Sequence, residues 1–135
     1  MPQYRCLVQQ GRLSQAKKAE LAQEITRIHC ELTNAPKHFV HVIFSESAPG
    51  DWFTAGAPSK FSIINAFIRA GRSDEQKKKL MQQISRRWSE VAGQPEGEIV
   101  VTMTDIASEH WMEAGHLMPQ PGAEKEWFAQ LGLEI

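Results

Sequence analysis

The sequence has 135 residues, of which 41% are hydrophobic and 23% charged, and its formal net charge is -1. These values are typical of one globular domain with a substantial core, and they argue against a general nucleic-acid binder because no basic excess is available for phosphate contacts. The first 15 residues lack the apolar run of a signal peptide, and no stretch approaches the roughly 20 apolar residues needed to span a membrane. We therefore expect a cytoplasmic protein that binds neither nucleic acid nor membrane.

The first half of the sequence predicts a strand, a helix and a second strand. Residues 3–9 are rich in Tyr, Leu and Val, as strands are. Ser14 is suited to cap a helix over about 14–33, which ends before Pro36 because proline disfavours helical backbone in the residue that precedes it. The apolar stripe of this helix recurs at helical spacing: Leu21, Ile25, Ile28 and Leu32. A nearly apolar run at 39–44 then predicts a strand covered on both faces, and residues 47–60, with Gly and Pro as breakers, predict a loop.

The second half repeats this order. Residues 61–68 predict a strand, Ser73 begins a helix with Gln76 at capping-box spacing, and residues 99–103 predict a fourth strand. An offset of 59 positions (73 − 14) aligns the halves without a gap and matches five pairs: Ser14 with Ser73, Leu21 with Leu80, Ile25 with Ile84, Pro36 with Pro95, and Val42 with Val101. We interpret this as a tandem βαβ repeat.

Two βαβ units define the predicted architecture, a single α/β (α+β) domain over residues 1–135. Repeat one covers about 2–46, repeat two about 61–104, and a C-terminal helix and tail cover 105–135, with a short helix near 105–114. The strands within each unit should be parallel because a helix joins them. Side by side, the units give a four-stranded sheet with two helices on one face. The other face is left apolar and uncovered, which predicts an oligomer.

The opening Met1-Pro2 is a candidate catalytic group. If Met1 is removed, the Pro2 nitrogen becomes a free secondary amine, and α-amino groups titrate at roughly 7.7–8.0. Such an amine could remove or donate a proton near neutral pH. Proline after methionine is common, however, so the motif alone is weak.

Neither metal nor disulfide is expected. His38 and His41 lie three positions apart in a predicted strand, which puts them on opposite faces, and no cluster of metal ligands stands out. Cys6 and Cys30 fit reduced, buried thiols of a cytoplasmic protein better than they fit a disulfide.

A colinear set of short motifs extends over nearly the whole chain: Met1-Pro2-x-Tyr4, Arg12-Leu13-Ser14, Ile25-Thr26-x-x-His29, Leu32-Thr33, Arg69-Ala70-Gly71-Arg72-Ser73, Met112-Glu113-x-Gly115, Leu117-Met118-Pro119-Gln120-Pro121-Gly122 and Glu126-Trp127-Phe128. In this set the sequence resembles the tautomerase superfamily, and more closely the cis-3-chloroacrylic acid dehalogenase family. The resemblance implies paired βαβ units, a homotrimer, a catalytic amino-terminal proline and no cofactor.

By this resemblance, Pro2 is the catalytic amine. His29, Arg69 and Arg72 would bind the carboxylate of a small substrate and polarise its carbonyl, and Glu113 would orient or activate a water. The residue types suit these roles, because the arginine fork matches a carboxylate in a bidentate way. Structural alternatives stay open: Arg72 as a turn residue, His29 as a core histidine and Glu113 as a solvated glutamate.

The sequence departs from the family pattern at Thr102. In the dehalogenases a tyrosine of the fourth strand assists the water-activating glutamate, and Thr102 stands at the corresponding position. Because the threonine hydroxyl reaches less far, we expect water addition to an acrylate to be impaired and assign Thr102 only to substrate binding.

The sequence therefore favours a cofactor-independent keto–enol tautomerase of a small 2-oxo or enol carboxylate, with Pro2 as acid and base. The alternative is a hydratase, dehalogenase or decarboxylase of three-carbon unsaturated acids of the cis-3-haloacrylate type, which would use protonated Pro2 and Glu113. A third possibility is a trimeric binding protein whose active site has decayed.

Overall fold

The computed structural model describes residues 2–132. Met1 and the end of the predicted tail, residues 133–135, lie outside the described residues. The elements in chain order are β1 (Gln3–Gln9), α1 (Gln15–Thr33), β2 (His41–Ser47), β3 (Phe53–Thr54), β4 (Ala57–Pro58), β5 (Ser62–Arg69), α2 (Asp74–Ala92), β6 (Ile99–Ile106), β7 (Met112–Glu113), β8 (His116–Leu117) and α3 (Glu124–Leu131). None of the helices between Pro2 and Gly132 is long and apolar enough to cross a membrane.

The central sheet has the strand order β2-β1-β5-β6. Strand β1 pairs in parallel with β2, and β5 pairs in parallel with β6, as the helical connections require. The two units meet through β1 and β5, which are antiparallel. The predicted four-stranded sheet built from two βαβ units is confirmed.

The two long helices begin and end at equivalent positions of the repeat. The hydroxyl of Ser14 accepts a hydrogen bond from the Lys17 N–H, and the hydroxyl of Ser73 accepts one from the Gln76 N–H. Both helices end in a left-handed residue, Asn34 with φ of 56° and Gly93 with φ of 64°. These ends are also 59 positions apart (93 − 34), so the repeat includes the helix termini.

The core lies between the helices and one face of the sheet. Alternate residues of β1 and β5 point towards the helices and are buried, as the two-residue period of a strand requires. The fully buried side chains of this layer include Tyr4, Val8, Ile64, Ile68, Leu21, Ile25, Leu80, Ile84 and Trp88. Burial of each large aliphatic side chain contributes about 1.5–3 kcal/mol.

The opposite face of the sheet is uncovered over most of its area, as predicted, but it is mixed in polarity. Exposed Ile43 and Val100 share this face with the polar side chains of Arg5, Asn65 and Thr102. Strands β2 and β6 alternate between half-buried and exposed residues, so the expectation that the strand at 39–44 is covered on both faces is wrong. The open face is therefore only partly apolar, because polar residues lie beside its exposed aliphatic residues.

The predicted short helix at 105–114 is absent from that segment. Strand β6 continues to Ile106, with Asp105 paired to Ile68 in the ladder, and a 3-10 turn and the β7–β8 hairpin follow. The hairpin turns at Ala114 and Gly115, which have φ of 53° and 83°. Two successive positive φ angles form a tight hairpin turn and cannot be accommodated in an α-helix.

A matching hairpin lies in the segment predicted as a loop, residues 47–60. Strands β3 and β4 are joined at Ala55 and Gly56, with φ of 54° and 77°, again 59 positions before the second hairpin (114 − 55). Each repeat therefore extends further than predicted and ends in a two-residue hairpin.

A second apolar cluster forms where the C-terminal segment folds back over one end of the open sheet face. Its buried members are Phe39, Trp111, Met118 and Phe128, with Phe67, Ile106 and Trp127 packed against them. Phe39, predicted in a strand, lies instead in a 3-10 turn before β2 and contacts Phe128 at a ring-centroid distance of 5.6 Å. This cluster holds α3 against its own chain.

Candidate active site

Pro2 is buried at the start of β1. Its carbonyl accepts a hydrogen bond from the His41 N–H at 3.0 Å, which fixes its position beside β2. On the other side, β5 runs antiparallel with Gln3 opposite Phe67, so Arg69 and the turn after it lie at the same end of the sheet. The fold therefore brings Pro2, Arg69 and Arg72 to the same end of the central strands.

Tyr4 and His29 form a buried polar pair next to Pro2. The Tyr4 hydroxyl and His29 Nδ1 lie 2.7 Å apart, and both residues are at most 1% exposed. Burial lowers the pKa of His29 to about 3, and the positive charges of Arg72 and Arg69 act in the same direction. Burial raises the pKa of Tyr4, and nearby Arg72 opposes that rise. Both rings are neutral near pH 7, so His29 is an imidazole and not a cation.

Arg72 is half-buried between the end of β5 and the end of α1. One terminal nitrogen, Nη1, donates to the Thr33 carbonyl at 3.2 Å, while Nε is buried without a partner among the described residues. Burial lowers the pKa of Arg72, and the like charge of Arg69 adds to this effect. An anion bound at this guanidinium would therefore relieve an unfavourable cationic environment.

Arg69, at the end of β5, is held by the C-terminal tail. It is 1% exposed; Nη2 donates to the Glu124 carboxylate and Nη1 donates to the Pro119 carbonyl. Its Nε is buried and, like that of Arg72, has no partner within residues 2–132. The other carboxylate oxygen of Glu124 accepts the Gly122 N–H at 2.9 Å. The tail thus occupies two of the nitrogens that could bind a substrate carboxylate.

The turn between the two arginines also packs against the tail. Gly71 has φ of 119°, and a Cβ there would lie 3.4 Å from the ring of Pro121. The glycine supplies a backbone conformation that other residues rarely adopt. The tail packs against this turn at van der Waals distance.

Glu113 lies in β7 and points back towards the Pro2 end of β1. Its carboxylate is 2.9 Å from His41 Nε2 and accepts a hydrogen bond from the Trp111 indole at 3.2 Å. Burial opposes its ionisation, but hydrogen bonds, including those from His41 and Trp111, outweigh burial and lower the pKa of Glu113. The structure therefore supplies an ionised carboxylate near Pro2. His41 lies between the two: its ring contacts Glu113, and its backbone N–H donates to the Pro2 carbonyl.

Thr102 does not join this cluster within the chain. It is exposed in the middle of β6, opposite Asn65, and its hydroxyl donates to the Asn65 amide oxygen at 2.6 Å. Asn65 in turn lies opposite Arg5, three residues along β1 from Pro2, or about 10 Å along the strand. Thr102 is separated from the cluster around Pro2 because it lies on the open sheet face in the middle of β6.

Three members of the site were missed by sequence reasoning: Tyr4, His41 and Glu124. Tyr4 is the sole tyrosine of the sequence and falls on the buried side of a predicted strand, which is a usable signal because a buried hydroxyl needs a partner. His41 was considered only as a metal ligand. Glu124 contacts Arg69 across 55 positions, and nothing local in the sequence indicates such a contact.

The proposed site residues are largely buried: Pro2, His29 and Arg69 are buried, and Arg72 is half-buried. A neighbouring cleft of about 340 Å³ opens on the sheet face next to Trp111 and is lined by Gln3, Arg5, Phe67, Ile106, His110, Trp111 and Met112. Among the described residues, no three His, Cys, Asp or Glu side chains are placed to hold a metal ion. The chemistry available is that of two guanidinium groups, a neutral imidazole and a carboxylate, together with a secondary amine at Pro2 if Met1 is removed.

Comparisons with known proteins place the chain in a family. The family model described as "Putative oxalocrotonate tautomerase enzyme" matches residues 1–130. The crystal structure of N1, a member of the cis-3-chloroacrylic acid dehalogenase family, is 34% identical, with a TM-score of 0.91 over 94% of this chain and 90% of that chain. A comparison with curated protein sequences finds no match.

Other solved structures share the fold. The native Ps01740 structure is 37% identical, with a TM-score of 0.80 over 82% of this chain and 99% of that one. A fused 4-OT described as an asymmetric trimer is 26% identical, with a TM-score of 0.79 over 85% and 94% of the two chains. The chain therefore belongs to the tautomerase superfamily, within the family of cis-3-chloroacrylic acid dehalogenases.

Proposed function

We propose that the protein is a cofactor-independent keto–enol tautomerase of a small 2-oxo or enol carboxylate, with Pro2 as the acid and base. One observation carries the proposal: the Nε–H donors of Arg69 and Arg72 are buried without partners in the described part of the chain, at the Pro2 end of β1. A buried donor without an acceptor costs about 1–3 kcal/mol. A substrate carboxylate bound there would recover this energy.

His29 supplies the polarising group. The tautomer that this role requires has the Tyr4 hydroxyl donating to Nδ1 of His29, 2.7 Å away, so that Nε2 carries the proton and donates to a substrate oxygen. Since burial keeps His29 neutral, it acts as a hydrogen-bond donor and does not lose its proton to the substrate. A donor aimed at a developing enolate oxygen stabilises the transition state selectively.

The reaction moves one proton. Neutral Pro2 takes a proton from the carbon next to the carbonyl, the electron pair moves on to the carbonyl oxygen, and the enolate is stabilised by His29 and the arginines. Pro2 then returns the proton to the enolate oxygen, and the same steps in reverse convert enol to ketone. The arginine charges favour the neutral amine and Glu113 favours the protonated one. A kcat/KM profile that rises with pH to a plateau through a pKa below about 7.5 supports the base, because free α-amino groups titrate at roughly 7.7–8.0.

A further relative supports the substrate class. Pt0534, 25% identical with a TM-score of 0.80 over 86% of this chain, was crystallised after inactivation by 2-oxo-3-pentynoate. That inactivator is a small 2-oxo carboxylate. For this chain we propose the same chemical class, and a homotrimer like the fused 4-OT trimer.

The first experiment measures the intact mass of the native protein and its turnover of phenylenolpyruvate. Removal of Met1 and measurable turnover are expected. Pro2→Ala should lower kcat/KM at least about hundredfold, within the usual contribution of general acid–base catalysis. Unchanged turnover in Pro2→Ala contradicts the proposal, and binding of 2-oxo acids with no turnover indicates the decayed binding protein instead.

A labelling experiment tests the amine directly. Addition of the Pro2 nitrogen to the alkyne of 2-oxo-3-pentynoate would form an N–C bond, turn the triple bond into a double bond and move the amine proton to carbon. We expect one adduct per chain, mapped to Pro2 by peptide mass spectrometry. Protein that retains Met1 is the matched control, because its Pro2 nitrogen is an amide. An adduct elsewhere in the chain contradicts the assignment.

The second candidate is hydration or dehalogenation of a three-carbon unsaturated acid. It is favoured by Glu113, held ionised by His41 and Trp111 near Pro2, and by the 34% identity to N1. Incubation with cis-3-chloroacrylate and assay of released chloride discriminate the two. Because Thr102 replaces the family's tyrosine, we expect chloride release to be slower than tautomerisation.

A further inference from the structure

The buried ion pair between Glu124 and Arg69 sets the charge of the site from within the chain. We propose that Glu124 is a specificity-determining residue that makes the site selective for monocarboxylates by neutralising Arg69 and leaving Arg72 as the uncompensated cation. This inference rests on the proposed function only in requiring that the site bind a carboxylate.

The geometry of Glu124 is that of a built contact. Its side chain is 7% exposed at the start of α3, and its two oxygens are used separately, one by Arg69 and one by the Gly122 N–H. The Pro119 carbonyl takes a further nitrogen of Arg69. An internal carboxylate therefore holds Arg69 in the way that a substrate carboxylate would.

The tail cannot easily release this contact. Four positions after Glu124, Phe128 is buried against Phe39, Trp111 and Met118. About one helical turn thus links Glu124 to the second apolar cluster. Because an uncompensated buried charge is strongly destabilising, the pair should persist when substrate binds.

The charges around the proposed carboxylate site then nearly balance. Arg69 and Glu124 form an ion pair, Glu113 is hydrogen-bonded by His41 and Trp111, and His29 and Tyr4 are neutral. Arg72 donates to a carbonyl, and its Nε has no partner among residues 2–132. One uncompensated cation suits one carboxylate. A second carboxylate on the same ligand would enter a site that already contains Glu124 and Glu113.

The experiment compares crotonate with fumarate, which have the same four-carbon skeleton and differ by one carboxylate. Binding to the native trimer or monomer, whichever the protein forms, is measured by calorimetry and needs no turnover. We expect the wild-type protein to bind crotonate at least about tenfold more tightly than fumarate. Repulsion between the second carboxylate of fumarate and a nearby glutamate costs on the order of 1–2 kcal/mol at an effective dielectric constant of about 20.

Glu124→Gln removes the charge and keeps the shape. It should shift the ratio of the crotonate affinity to the fumarate affinity by about tenfold in favour of fumarate, whereas Glu124→Asp should retain the wild-type ratio. Glu126→Gln is the matched control, because Glu126 is exposed on the same helix and its substitution makes the same change in net charge. Thermal unfolding of each variant shows whether the comparison is between folded proteins.

Each outcome of this experiment either supports or contradicts the proposed role of Glu124. Fumarate bound by the wild type as tightly as crotonate contradicts the proposal, whatever the variants do. A folded Glu124→Gln with the wild-type preference also contradicts it, and shows that Glu124 only anchors the tail. No binding of crotonate at all contradicts the carboxylate site, and with it the proposed function. Normal binding and selectivity without turnover contradicts the tautomerase and leaves this inference standing.

Discussion

At the scale of single residues, a neutral histidine in a cationic neighbourhood is the most unusual group of the structure. His29 is 1% exposed, and burial together with Arg72 and Arg69 holds its pKa at about 3 against an ordinary value of 6.5. The unfolded chain therefore binds a proton at this residue between these two pH values, while the folded chain does not. Folding stability from His29 is present in full above pH 6.5 and is lost as the pH falls towards 3.

This gives a prediction for acid unfolding. Between pH 7 and pH 4, His29 alone should lower the free energy of unfolding by about 3 kcal/mol. In His29→Gln, which cannot titrate and can still accept from Tyr4, the decline should be smaller by about that amount. Urea unfolding curves at several pH values measure it. Equal pH dependence in both proteins would show that His29 is not the responsible group, and Tyr4→Phe serves as a control that leaves a histidine in place.

The residues that the sequence proposed for the site lie near one another, but the contacts that hold them were not predicted. Pro2, Arg69, Arg72 and Glu113 lie at one end of the central strands, with His29 of α1 bonded to Tyr4 beside them. Their roles stay predictions. The partners were not predicted because Arg69–Glu124 and Glu113–His41 join positions 55 and 72 residues apart, and local patterns contain no information on such contacts.

At the scale of elements, the two hairpins show how a repeated backbone acquires different surroundings. Strands β7 and β8 carry Glu113 to the Pro2 end of the chain, whereas β3 and β4 carry Thr54 at the equivalent position (113 − 59). Gly56 and Gly115 have φ of 77° and 83°, so the two turns have nearly the same geometry. The chemistry comes from what each hairpin contacts.

We predict that Gly115→Val and Gly56→Val will have similar effects on stability and different effects on activity. Each places a β-branched residue at positive φ, which costs about 1–3 kcal/mol. Gly115→Val should also displace Glu113 and lower chloride release from cis-3-chloroacrylate at least about tenfold, because Glu113 is the water-activating group of the second candidate function, while Gly56→Val should change it less than about twofold. Urea unfolding and steady-state kinetics measure both effects. Equal loss of activity in the two variants would show that Glu113 is not positioned by its turn for the reaction.

The same elements show where sequence patterns sufficed. Caps, apolar stripes and breakers predicted α1 and α2 to within one or two residues, because those signals are local and strong. The hairpins were predicted as loop and helix because each strand has only two residues. A strand that short has no periodicity to detect.

At the scale of the whole molecule, the open face of the sheet is the surface left for assembly. Its exposed aliphatic residues, Ile43 at 45% and Val100 at 37%, flank a row of polar side chains that includes Thr102. The proposed homotrimer would cover this face and bring Thr102 of one chain towards another chain. A mixed surface of this kind is ordinary for an interface between subunits.

We therefore predict that Val100→Asp will weaken assembly, because it adds a charge to a surface that the trimer would bury. Analytical ultracentrifugation should show a shift from trimer towards monomer by at least tenfold in dissociation constant, or about 1.4 kcal/mol. Gln82→Asp, which adds the same charge to an exposed position of α2, should leave assembly unchanged. A wild-type protein that is monomeric at micromolar concentration would contradict the trimer, and an intact trimer of Val100→Asp would place the interface elsewhere.

The duplicated architecture has a consequence for the number of reactive centres. The repeat partner of Pro2 is Phe61 (2 + 59), whose nitrogen is an ordinary peptide amide inside the chain. A polypeptide has a single amino terminus, so joining two βαβ units into one chain gives only one of them a terminal amine. In the second unit, Trp88 stands at the position equivalent to His29 (29 + 59). Its indole is buried and donates a hydrogen bond to Gln94. The proposed terminal amine and His29 thus belong to the first unit, whereas Arg69 and Arg72 belong to the second unit and Glu113 to the hairpin that follows it, so the proposed site draws on both halves.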